Sequence, residues 1–269
     1  MPERTALLCA IAFLPAISSA AAQERTTVGG YGEVHYTNAT GPNTPAELNV
    51  RRFIIYLGHT FSDRLAFRSE LELEDTKVEG GEPGGEVALE QAYLDYRIAD
   101  ALTIRSGLVL VPVGIINETH EPPTFNGVNR PSVEQTVIPS TWREIGVGAV
   151  GTVPFAAGFS YRAYLVNGLL ASGFTAEKGI RGGRQEGREA SFANPSLTGR
   201  LEYAQPGLKV GASFWYGGSA NADTAVGTGT FAAPVRILSA DVRYEWGAFR
   251  LRGVAATIAI GDTDTINAV

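Results

Sequence analysis

Residues 49–74 read NVRRFIIYLGHTFSDRLAFRSELELE. In the second half, Leu65, Phe67, Leu71 and Leu73 alternate with Arg68, Glu70, Glu72 and Glu74. Successive residues of a strand point to opposite faces, so this ribbon carries one apolar and one charged face. Ser62-Asp63 joins it to NVRRFIIYLGHTF at 49–61 as a hairpin. The same alternation, punctuated by turn residues, predicts strands at 29–36, 86–98, 101–110, 143–153, 157–168, 196–204, 208–217, 235–246 and 248–261. Most are close to the 9–11 residues with which a tilted strand crosses a bilayer.

The connections carry a second signal. Those near 62, 99, 155, 206 and 247 are tight, whereas 37–48, 75–85, 111–142, 169–195 and 218–234 are long, polar and rich in Gly and Pro. Short and long alternate throughout, as in outer-membrane barrels with short periplasmic turns and long external loops. Aromatic residues gather near the tight turns, Phe61, Phe67, Tyr96, Phe155, Phe159, Tyr161, Tyr203, Tyr244, Trp246 and Phe249 among them, as in an interfacial girdle. The expected fold is all-β, a transmembrane antiparallel β-barrel over residues 23–269, in the bacterial outer membrane. Strands one and eleven would run the same way, and single-chain bacterial barrels have an even count. The sequence is therefore expected to be the front part of a longer chain.

Residues 1–22 read as a secretory signal: Arg4, a short apolar core at 6–17, then Ala20-Ala21-Ala22. The sole cysteine, Cys9, falls within it, so the mature chain would hold no disulfide and no cysteine metal site. A net charge of -6 argues against a nucleic-acid partner, which requires a basic face.

The longest connection, 111–142, contains Pro112, Pro122, Pro123, Pro131 and Pro139 and no apolar period. Loops of this length in a compact domain are usually functional. It is expected to fold into the bore as a constriction.

The segments RRFIIYLGHTFSDRLAFRSELELE, EQAYLDYR, GLVLVPVG (107–114) and GRLEY (199–203) resemble the phosphate-selective porin O and P family. The resemblance spans about 28–260. It implies a homotrimeric outer-membrane channel of about sixteen strands, with arginines along the bore and a lysine on the inward loop. The family's paired arginines correspond to Arg51 and Arg52, and its acid near the binding zone is most similar to Glu90. Tyr31 stands where the family has an arginine. The inward loop carries no lysine, and Arg130 is its only base.

For a channel the chemistry is electrostatic, since rings of charged side chains select ions by sign. Alternation and the resemblance assign to the bore the bases Arg51, Arg52, Arg68, Arg97, Arg105, Arg130, Arg162, Arg200, Lys209, Arg243, Arg250 and Arg252. They assign there the acids Glu70, Glu72, Glu74, Glu90, Asp95, Glu144, Glu202, Asp241 and Glu245. A phase change near Glu90-Gln91 suggests a bulge. The loop acids Glu118, Glu121 and Glu134 are expected against Arg130. GVGAVG at 146–151 matches G-x-G-x-x-G, but no helix follows and Pro154 comes soon after. Gly146 and Gly148 are instead expected on the inner face, leaving space for the inward loop. His120, between Glu118 and Glu121, reads as a solvated loop side chain, because Pro122-Pro123 forbids the helix of an H-E-x-x-H zinc site. Arg181, Arg184 and Arg188 could gather anions at the external mouth or simply be solvated.

The reading is a non-enzymatic, cofactor-free channel for passive diffusion of small hydrophilic solutes, with an anion or phosphate preference. Its partners would be outer-membrane lipid and those solutes. The rivals are an outer-membrane hydrolase of protease or lipase type, a general or cation-preferring porin, and a plugged adhesive barrel.

Overall fold

The structure, a computed structural model, describes residues 25–38, 41, 45–75, 85–124, 126–221 and 223–268. The expected signal at 1–22 lies outside them. The fold is all-β: eleven strands form one antiparallel sheet whose spatial order follows the chain. Among the described residues no helix is long and apolar enough to cross a membrane. Contacts divide the chain into two compact units, 1–94 and 95–269.

The first unit holds β1 (Thr26–Thr37), β2 (Glu47–Thr60), β3 (Leu65–Glu74) and the start of β4 (Glu86–Ala99). The second holds the end of β4, then β5 (Leu102–Leu110), β6 (Arg143–Thr152), β7 (Phe159–Val166), β8 (Ser196–Gln205), β9 (Leu208–Gly217), β10 (Val235–Trp246) and β11 (Phe249–Ile260). These strands follow the alternating stretches of the sequence, because each stretch offers one face to bury and one to leave exposed.

Register fixes the faces. In the first unit Arg52 lies opposite Glu74, Tyr56 opposite Glu70 and Gly58 opposite Arg68, so these residues share one side. In the second, Arg162 opposes Arg200, and Arg243 opposes Lys209 on one neighbour and Arg252 on the other. Arg105 opposes Gly148, Val109 opposes Glu144, and Arg250 opposes Glu245.

The two faces are buried in the opposite sense to a water-soluble protein. The charged side holds Arg52, Glu72, Arg200, Asp241 and Glu144, all buried, while Phe53, Leu57, Val147, Leu197, Leu238 and Leu251 on the apolar side are exposed. Soluble proteins almost never bury unpaired charge while exposing a continuous apolar face.

Two expectations about local structure change. A bulge lies at a place that alternation alone did not mark: Glu33 pairs with Arg52 and Val34 with Val50, so Arg51 is skipped. An extra residue in one strand breaks strict alternation. It lets Arg51 as well as Arg52 reach Glu74, at 3.6 Å and 3.7 Å. Gly146 and Gly148 do lie on the charged side, but the space they leave is not taken by the 111–142 loop. A methyl on Gly146 would meet Val166 Cγ1 at 2.6 Å, and one on Gly148 would meet Tyr164 Cδ1 at 2.5 Å. The neighbouring strand β7 fills that space.

Candidate functional site

The charged face of the first unit centres on Arg52. Its guanidinium lies 2.7 Å from Glu33 on β1 and 3.1 Å from Glu72 on β3. Glu33 in turn contacts His35 at 2.6 Å. At the end of the hairpin Arg51 holds Asp75 at 2.9 Å. Burial works against the Asp75 carboxylate, but hydrogen bonds from Asn49 and Arg51 outweigh it and keep its pKa below the usual value. Gln91 on β4 donates to Glu70 at 2.6 Å. Arg68 lies over Gly58, where a methyl would overlap its guanidinium.

In the second unit the long loop lies over the charged face. Its base is closed by Val111 N–H donating to the Trp142 carbonyl at 2.9 Å. The Asn117 amide donates to the carbonyls of Val111 and Trp142 at 2.7 Å and 2.8 Å, and its oxygen accepts the Trp142 N–H at 2.8 Å. Inside the loop, Glu134 accepts the N–H groups of Ile115 and Ile116 at 2.7 Å and 3.1 Å. Such a carboxylate does the work of a missing strand partner, since buried backbone N–H groups must be satisfied.

Four strands then grip the loop. Arg162 on β7 pairs with Glu118 at 2.9 Å. Arg200 on β8 donates to the Gly114 carbonyl at 3.2 Å, and the Gly114 N–H reaches Ser213 on β9 at 3.4 Å. Arg243 on β10 donates to the Ile115 carbonyl. The Trp142 ring packs on Trp215 with centroids 4.4 Å apart. Gly114 has φ +82, a backbone open to glycine, and a Cβ there would sit 2.9 Å from the Glu134 carboxylate. Glu144 fixes the far end: it accepts from Trp142 Nε1 at 3.0 Å and from Asn167 at 2.6 Å.

Several candidate residues take other roles than expected. Of the three loop acids, Glu118 faces Arg162 and Glu134 faces backbone, and the field of Arg130 is felt by Glu121. His120 is buried, not solvated, with Nδ1 3.0 Å from the Asn117 carbonyl. Arg181 and Arg184 fasten the loop base, donating to the Ser140 carbonyl at 2.9 Å and 3.0 Å, with Arg184 also reaching Thr141 at 2.9 Å. Burial, with Arg181 nearby, lowers the Arg184 pKa to about 10. Burial raises the pKa of Glu121 to about 7 against the pull of Arg130. Glu118 and Glu134 are also raised by burial, the first opposed by Arg162 and the second by its two backbone donors.

The remaining charges mostly pair. Arg105 forks onto Asp95 at 2.8 Å and 2.9 Å. Arg200 grips Asp241 at 2.6 Å and 2.9 Å and Glu202 at 3.0 Å. Lys209 lies 3.3 Å from Glu202, and exposed Arg250 lies 3.5 Å from Glu245. Among the described residues Arg68, Arg243 and Arg252 pair with no carboxylate. Glu33, Ser213, Asn117 and Asn167 were not legible as site residues. Only the register and the path of the loop bring them in.

No family model matches the chain. An uncharacterized protein of Aquifex aeolicus (strain VF5) is 39% identical over 243 residues, 89% of this chain and 54% of the relative. The chain thus spans about half the length of the curated relative it matches. Salmonella typhi OmpF, solved in complex with daunomycin, overlays with a TM-score of 0.53 at 15% identity, over 88% of this chain and 67% of that one. A mutant porin of Rh. blastica overlays with a TM-score of 0.44 at 11% identity, over 87% and 84% of the two chains. The OmpF likeness, together with the single antiparallel sheet, makes the fold porin-like.

Proposed function

We propose that the chain forms most of the wall and the constriction of an outer-membrane porin, a water-filled β-barrel for passive diffusion of small hydrophilic solutes. The observation that carries this reading is the path of residues 111–142. A loop that leaves at β5 is held by β7, β8, β9 and β10, all through their charged face. A segment laid across that face narrows whatever aqueous space the face encloses. The exposed apolar side would meet lipid, and a homotrimer is the assembly that the family resemblance implies.

The channel would prefer anions. On the charged face of the second unit, the acids Asp95, Glu202, Asp241 and Glu118 each meet a base, while Arg243 and Arg252 oppose each other with no carboxylate partner among the described residues. Like charges held opposite each other in a sheet are destabilising. A passing anion relieves that repulsion. The row borders a cavity of about 260 Å³ that Lys209 also lines.

Planar-bilayer recording tests both parts. Stepwise conductance with a reversal potential of anionic sign in a salt gradient is expected. A chain that inserts without steps, or steps that favour cations, would refute the respective part.

A further inference from the structure

On β5 to β11 the apolar face carries two charged residues. Arg143 is buried and lies 3.6 Å from Glu186. Arg236, the second residue of β10, is exposed. Among the described residues it meets no carboxylate, and its guanidinium lies 5.6 Å above the ring of Tyr216 on β9. Tyr216 stacks on Phe231, with centroids 5.3 Å apart. This cluster stands where β9 and β10 run into the long connection 218–234.

Along the same face of β10, Leu238, Ala240 and Val242 follow Arg236 before Tyr244 and Trp246. Arg236 and Tyr244 are thus separated by roughly 26 Å of strand at about 3.3 Å per residue. At the tilt of about 40° usual for membrane barrels this is roughly 20 Å of depth, close to the height of an apolar band between two aromatic girdles. A lipid-facing arginine is strongly disfavoured at mid-membrane and nearly neutral near the interface. The position therefore makes the charge tolerable, and the aromatic platform orients it outward.

We propose that Arg236, steadied by Tyr216, binds the phosphate of an anionic glycolipid in the outer leaflet. The cation faces lipid, meets no carboxylate among the described residues, and stands on the rim with the long connections. A phosphomonoester at headgroup depth supplies the missing negative charge through charge-assisted hydrogen bonds. The proposal rests on the outer-membrane reading above.

The test is native mass spectrometry of the full-length, detergent-folded protein with diphosphoryl lipid A as probe. Arg236→Gln is expected to weaken retention of the lipid roughly ten-fold, the scale of one charge-assisted contact. Arg236→Lys should keep most of it, and Tyr216→Leu should lose an intermediate share. Millimolar inorganic phosphate should not displace the lipid. Equal retention by Arg236→Gln would overturn the site, and displacement by inorganic phosphate would show a free-anion site instead. Conductance of the same preparations separates the two readings. A wild-type protein without steps defeats the porin assignment. A conducting Arg236→Gln protein that holds lipid as the wild type does defeats this proposal alone.

Discussion

Arg200 on β8 reaches across β9 to grip Asp241 on β10, at 2.6 Å and 2.9 Å, by passing over Gly211. Gly211 lies between Glu202 and Asp241 in register, and any side chain there would overlap the guanidinium. The same arginine donates to the Gly114 carbonyl of the 111–142 loop. One side chain thus ties three strands and the loop together.

Gly211→Val should push Arg200 off Asp241 and free the Gly114 carbonyl. Overpacking of this kind costs typically about 1–3 kcal/mol. The expected outcome is a lower denaturation midpoint, with noisier single-channel currents as the loop loosens. Unchanged midpoint and current noise would show that Arg200 finds another route.

Arg200→Met should be more damaging. It leaves Asp241 fully buried and Glu202 nearly so, with no guanidinium between them. Removing one partner of a buried pair costs about 3–5 kcal/mol. The double variant with Asp241→Leu should recover much of that loss in equilibrium unfolding. Additive losses would mean that the pair is not energetically coupled.

Deleting residues 118–135 should raise single-channel conductance, because this part of the loop lies over the charged face. The loop base, closed by Asn117, Val111 and Trp142, remains in that variant. A conductance that does not move would place the loop outside the path of ions.

Arg243→Ala and Arg252→Ala should each lower the anion-to-cation permeability ratio. A unit charge at 4–10 Å in a water-like medium is worth about 0.4–1 kcal/mol, a factor of roughly two to five. Arg52→Ala should act in the same sense, because it strips the shared base from Glu33 and Glu72. Arg68→Ala should do so too. Reversal potentials in a salt gradient read the effect directly.

The packing of the loop around Glu121 should depend on pH. Its folded-state pKa is raised from 4.5 to about 7 by burial, so the protonated form is the better packed one. That contribution is complete below about pH 4.5 and is lost as pH rises through about 7. Amide exchange across 117–124 should accelerate from pH 5 to pH 8 beyond the intrinsic rate change. Glu121→Gln should abolish the extra acceleration. If wild type and variant respond alike, another group controls the loop.

Strand positions were legible in the sequence because they rest on local patterning. Leu65 to Glu74 alternate apolar and charged residues, and the chain must place these on opposite sides whatever its neighbours do. The alternation of tight and long connections followed from turn residues, and it set which ends of the strands would carry loops. Arg105, Arg162, Arg200, Arg243, Arg250 and Arg252 share a face for the same reason.

What each charge meets was not legible. Arg51 turns toward Glu74 and Asp75 only because the β1–β2 pairing skips a residue. Glu118 finds Arg162, Glu134 finds two backbone amides and Arg184 finds the loop base, across separations of up to 44, 19 and 44 residues. Local pattern thus determined the strands, their two faces and their order. The tertiary structure alone decided which charges cancel and which stand over, because pairing depends on register and on the course of a loop with no period of its own.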